Sequence, residues 1–251
     1  MAQVKNFKVD ARTIIHLGRE SIKDHTTALL ELVKNSYDAD ASIVEVEIYK
    51  RETFDKIRIA DDGTGMTESD IDDSWLRIGF SEKRKIKMSP KGRRKTGEKG
   101  IGRLSTDRLG EELQIISIAN GENGKHLTTN GIRINWELFN KDNQELTGVP
   151  IEVIENPMAI LPLAKKVDTG TELIISKLRQ DWTKENVEAL CNELSILTPP
   201  FSETKDFEIF LKTDIAPEFN GKISPPDFVR PEIELNLEYD AVLTEVRYNI
   251  T

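Results

Sequence analysis

"ELVKNSYDAD", residues 31–40, ends a run with the periodicity of an amphipathic helix over 24–39, with Asp24 as its expected cap. At about 100° per residue, Asn35 lies roughly 40° from Glu31, and Asp38 roughly 20° to the other side of Glu31. Glu31, Asn35 and Asp38 therefore share one narrow polar stripe. Leu29, Leu32, Val33 and Ser36 fall about 100° to 200° away, on the face expected to pack into a core. The stripe is either an ordinary solvated face or a functional site, and the helix by itself does not decide between them.

Working outward, "ASIVEVEIYK" (41–50) and "DKIRIADD" (55–62) alternate apolar and polar residues, as half-buried strands do. "DDGTGMT" (61–67) reads as a turn, and Thr67 as the cap of a helix through "ESDIDDSWLRIG". Residues 81–99 are polar, basic and without a period, which predicts a long mobile loop. "GIGRLSTDRLG" (100–110) predicts a short helix entered through glycines. Four strands are expected near 112–119, 126–136, 148–155 and 170–177, then a helix through "WTKENVEALCNELSIL" (182–197). This order predicts an α+β fold, a two-layer sandwich with helices on one face of a mixed, mainly antiparallel sheet.

Six of the ten prolines lie between Pro199 and Pro231, so a domain boundary is expected near residue 200. Residues 1–200 would form the first domain and 201–251 the start of a second, strand-rich region, truncated or continuing past Thr251.

The chain has 251 residues, 37% hydrophobic and 31% charged, as expected for a soluble globular protein. No apolar run approaches the roughly 18 residues of a membrane span. "MAQVKNFKVDARTIIHLG" at the N-terminus lacks the apolar core of a secretion signal, so a cytoplasmic location and no membrane partner are expected. The single cysteine, Cys191, excludes an internal disulfide, and its helical register with Leu190 and Leu194 predicts a core position. The net charge of −9 argues against a general nucleic-acid binder. Yet Glu82–Arg103 holds ten Lys or Arg against two Glu, a concentrated positive segment that suggests a local anionic ligand.

Glycines supply the second strand of evidence. Gly63 and Gly65 follow a strand, and Gly97, Gly100 and Gly102 stand at the mouth of a helix. Glycine lets backbone N–H groups approach a ligand, and a helix N-terminus favours phosphate. "GRRKTGEK" (92–99) is not a P-loop, because Glu98 stands where that motif needs lysine. Phosphate donors beside a carboxylate and carboxamide suggest a magnesium nucleotide.

In order along the chain, "ELVKNSYDADA", "DDGTGM", "GEKGIG" and "TGTELIISK" resemble the four boxes of the GHKL ATPases. That group includes heat-shock chaperone ATPases, MutL, the DNA gyrase B subunit, MORC proteins and histidine kinases. The resemblance covers roughly residues 20–180 and implies the Bergerat ATP-binding fold, with ATP and Mg2+ as ligands. By resemblance, Glu31 is the general base, Asn35 the magnesium ligand, and Asp38 an acid near the nucleotide. Asp61 matches the acceptor of the adenine amino group, with Gly63, Gly65 and Met66 around the base and Thr171 linked to Asp61 and the base through water. Gly97, Gly100, Ile101 and Gly102 would meet the phosphates, with 81–99 as a lid. Lys83, Lys99 and Arg103 are further phosphate candidates.

Histidine kinases lack the glutamate base, so Glu31 implies the hydrolysing chaperone-, MutL- or MORC-like branch. In that branch ATP closes the lid and drives N-terminal homodimerisation of a clamp, and a lysine beyond the first domain often senses the γ-phosphate. Lys205, Lys212 and Lys222 are all available, and none is selected. Turnover is expected to be slow in isolation. The alternative is a nucleotide-sensing or DNA-binding module with little turnover, DNA contact falling on residues 83–95. The client, protein or DNA, is not specified by these residues.

Overall fold

A computed structural model describes residues 5–51, 54–81, 86–95, 100–121, 126–159, 168–198, 206–226, 235–240 and 245–250. Lys83, Gly97, Lys99 and Lys205 lie outside them.

The fold begins with a short turn of helix, α1 (Thr13–Ile15), which runs on as a wide helical turn over His16–Glu20. The helix carrying the polar stripe is α2 (His25–Asp38). Asp24 caps it as expected, its carboxylate accepting from the Thr27 amide at 2.7 Å. Strands β1 (Ile43–Arg51) and β2 (Phe54–Asp61) pair antiparallel. Their alternation puts Val44, Val46, Ile48, Ile57 and Ile59 in the core. On the other face Arg58 meets Glu172 at 2.5 Å and Glu47 at 3.3 Å. Thr67 caps the next helical stretch, exchanging hydrogen bonds with Asp70.

After the glycine turn come α3 (Ser105–Leu109), β3 (Gly110–Asn120), β4 (Leu127–Asn135), β5 (Glu152–Val153) and β6 (Gly170–Leu178). The strand expected over 148–155 shrinks to two residues. A 3₁₀ turn at Leu146–Gly148 and Pro150 precede it, and Pro157 follows, so its backbone can pair only briefly. Helix α4 (Lys184–Leu197) starts from a reciprocal Thr183–Asn186 cap. Cys191 is half-buried against the core cluster, and burial pushes its thiol up to about 11, which leaves it inert at neutral pH.

Strands β7 (Glu208–Thr213) and β8 (Gly221–Lys222) complete one sheet of eight, in the order β5-β4-β3-β6-β2-β1-β7-β8. The sheet is mixed but mainly antiparallel, with β7 parallel to β1. One core cluster joins α2 (Leu29, Leu32, Val33), α4 (Val187, Leu190, Leu194) and the sheet. The α+β fold of helices on a mixed sheet is the one expected.

Beyond residue 200, where a boundary was expected, β7 joins the same sheet. Ile209 and Leu211 of β7 are buried in the core of the first domain, paired with Val44 and Val46. A separate ladder, β9 (Leu235–Asp240) with β10 (Glu245–Ile250), follows.

Candidate nucleotide site

Asp61 ends β2, immediately before the glycine turn, and is only 6% exposed. Its carboxylate accepts from the Ser36 hydroxyl at 2.8 Å, the Gly63 amide at 3.0 Å and the Thr171 amide at 3.2 Å. Burial nevertheless dominates and pushes its pKa up to about 6, the three hydrogen bonds opposing the shift. Ser36, assigned to the packing face from helical phase alone, is buried there, but its hydroxyl serves Asp61. Apolar neighbours in the helical wheel conceal such a role.

The turn itself is pressed against the end of α2. The Thr64 amide donates to the Ala39 carbonyl at 2.9 Å. A β-carbon on Gly63 would stand 2.8 Å from that same carbonyl oxygen. Gly65 has φ +69°, and a β-carbon there would stand 1.9 Å from the Ile118 carbonyl oxygen. Met66 follows, its amide donating to Ser117 Oγ at 2.8 Å and its carbonyl accepting from Asn130 at 3.1 Å. Thr171 hydrogen-bonds the same Ser117 hydroxyl at 2.8 Å. Thr171 thus reaches Asp61 directly through its backbone amide, while its side chain belongs to the Ser117 junction. Ser117 was not foreseen: it stands mid-strand in β3, where nothing local distinguishes it.

Gly100 (φ +72°), Ile101 and Gly102 form the second glycine turn, which leads through a 3₁₀ turn (Gly102–Leu104) into α3. A β-carbon on Gly102 would lie 3.6 Å from Glu31 Oε2 and 3.9 Å from Asn35 Nδ2. The stripe on α2 therefore faces the glycine turn directly. Glu31 is 35% exposed, and the Lys34 ammonium donates to its other oxygen, Oε1, at 3.0 Å. Asp38 is buried near the end of the same helix. Below the turn, Asp107 of α3 is fully buried and tied to Arg19 at 2.9 Å and Arg179 at 3.0 Å, which fixes α3 in place.

Arg103 is engaged with the protein's own backbone. Its guanidinium donates to the carbonyls of Ser74, Trp75 and Phe80, closing the end of the preceding helical stretch. Lys222 pairs with Glu208 at 2.6 Å, and Lys212 lies beside Tyr49, both within the eight-stranded sheet. In place of a period-free loop, residues 87–95 form a small hairpin with a Met88–Arg94 bridge. Arg93, 5% exposed, is its anchor, donating to the carbonyls of Ala41 at 2.5 Å, Tyr37 at 3.2 Å, and Asp206.

The family profile described as "Histidine kinase-, DNA gyrase B-, and HSP90-like ATPase" matches residues 23–161. The chain belongs to this ATPase family. The matched span contains the α2 stripe and both glycine turns. A protein named as a candidate type II restriction enzyme, HgiDII of Herpetosiphon aurantiacus, is 27% identical over 168 residues. That alignment covers 66% of this chain and 25% of the relative, so the chain spans about a quarter of the protein it resembles. Among the described residues, no helix is long and apolar enough to cross a membrane.

Proposed function

We propose that this domain binds Mg-ATP between α2 and the two glycine turns and hydrolyses it, as a switch in a larger clamp-like protein. The observation that carries the reading is the opposition of Glu31 and Asn35 to Gly102, whose β-carbon, if present, would lie 3.6 Å and 3.9 Å from their side chains. Asp61 would accept the adenine amino group, which selects adenine over guanine because guanine presents a carbonyl at that position. Met66 would pack on the ring, and Gly100, Ile101 and Gly102, with Gly97, would donate to the phosphates.

The donor set fits a magnesium ion held mainly by phosphate oxygens and water, with the Asn35 carboxamide as its protein ligand. Bound there, the ion supplies charge neutralisation at the triphosphate. Glu31 orients the attacking water and takes its proton through Oε2, while Lys34 holds Oε1 and so fixes which oxygen faces the phosphates. N-terminal dimerisation and the role of Asp38 in ordering the site belong to the same reading. Lys83 and Lys99 remain phosphate candidates within it.

A phosphate-release assay with wild type and Glu31→Ala tests this function. Magnesium-dependent turnover lost in the variant, with ATP binding kept, is expected; ATP binding without turnover in the wild type would point to the nucleotide-sensing alternative. The similarity to the candidate restriction enzyme supports a second element: the switch serves a DNA-handling protein.

A further inference from the structure

We infer that the hairpin 87–95 is a preformed docking element for duplex DNA, presenting Lys87, Arg94 and Lys95 to the phosphate backbone with Met88 at its crest. The inference deepens the DNA-handling reading above and rests on it.

The hairpin is held firmly. Ser89 N donates to Arg93 O and Lys95 N to Lys87 O, each at 2.8 Å, and Gly92 takes positive φ at the tip. Ser89 donates to the buried Asp40 carboxylate, which also accepts from the Lys91 amide at 3.1 Å. The Lys91 ammonium donates to the Asp40 carbonyl at 2.7 Å. Arg93 stacks on Tyr37 with its guanidinium carbon 4.6 Å from the ring centre. Two of the five cations in 87–95, Lys91 and Arg93, are thus spent on the end of α2, where cations cap helix carbonyls.

Among the described residues, no such bond to α2 is made by the other three, Lys87, Arg94 and Lys95. Strand alternation sends Ser89 and Arg93 inward and Met88 and Arg94 outward. Lys87 and Arg94 are exposed, Lys95 is half-buried, and Met88 is 51% exposed beside them. A solvated face explains exposed cations but not an exposed methionine between them on a braced hairpin. Cations with an apolar crest suit a nucleic-acid groove, where phosphates flank sugar and base surface. On a chain of net charge −9, the patch would draw a polyanion to one place rather than to the whole surface. Because the hairpin is already braced, binding would not have to order it.

Fluorescence anisotropy of a labelled 20-base-pair duplex, titrated with the full 251-residue chain across a salt series, tests the inference. Three phosphate contacts predict a log–log salt slope of about −2.7, or roughly 40-fold weaker binding from 50 to 200 mM salt. Lys87→Gln/Arg94→Gln/Lys95→Gln should cut that slope by about 2 to 3. If circular dichroism shows the triple variant misfolded, the three single variants, each lowering the slope by about 1, carry the test. A wild type that binds duplex with a slope the variants do not change would overturn the hairpin assignment while sparing the DNA-handling reading. No binding by the wild type would sink both. Equal affinity for single-stranded RNA or heparin would overturn the choice of duplex DNA.

Discussion

The Ser36 hydroxyl donates to Asp61 across 2.8 Å, so the helix bearing Glu31 and Asn35 also braces the carboxylate at the opposite end of the site. Ser36→Ala leaves a buried carboxylate short of one donor. Stability at pH 7.5 should fall by about 1–3 kcal/mol. The loss should be smaller at pH 5, where Asp61 is mostly protonated. Chemical denaturation at the two pH values measures this, and equal losses would refute the coupling.

The raised pKa of Asp61, about 6, sets the sign of a pH effect. The protonated form is favoured in the fold, so this contribution to stability is complete below the unfolded value of about 3.9. It is lost as pH rises through 6, a change on the order of 3 kcal/mol. Asp61→Asn should remove that pH dependence and be at least as stable as wild type at pH 7.5. Wild-type affinity for ATP should decline below about pH 6, as the acceptor of the adenine amino group becomes protonated. At pH 7.5 the Asn variant should bind ATP about 30- to 100-fold more weakly, the cost of losing a charge-assisted hydrogen bond. Calorimetric titration across pH 5–8 reads both effects.

Lys34 holds one oxygen of Glu31 and leaves the other facing Gly102. Lys34→Met should lower kcat about tenfold or more with little change in KM. Lys34→Arg should restore much of the rate. If Lys34→Met turns over like wild type, Lys34 does not position the base.

The two glycine turns should respond differently to one methyl group. Gly65→Ala forces positive φ and a collision with the Ile118 carbonyl, and should yield insoluble or unfolded protein. Gly102→Ala meets only ordinary contacts, 3.6 Å from Glu31, and should fold normally. It narrows the gap where phosphates would lie, so ATP affinity should drop while the melting temperature holds. Thermal unfolding with and without nucleotide separates these outcomes.

Helical phase was enough to align Glu31, Asn35 and Asp38, and strand alternation was enough to sort β1 and β2 into core and outer faces. Both are periodicities of neighbouring residues, and a linear sequence carries them in full. The glycine turns were equally legible, because their backbone demands leave few substitutes.

Long-range partners were not legible. Ser36 and Ser117 acquire their roles only when α2, β2, β3 and β6 converge on Asp61. The cations of 81–103 look alike in sequence, yet Arg93 is buried under α2 and Arg103 caps carbonyls, while Lys87 and Arg94 face solvent. Nothing in the proline-rich stretch after 198 showed that β7 pairs with β1. By itself the sequence determined which residues share a face and where the backbone needs glycine. Only the tertiary structure decided which faces meet, because pairing energy depends on distances that local periodicity does not encode.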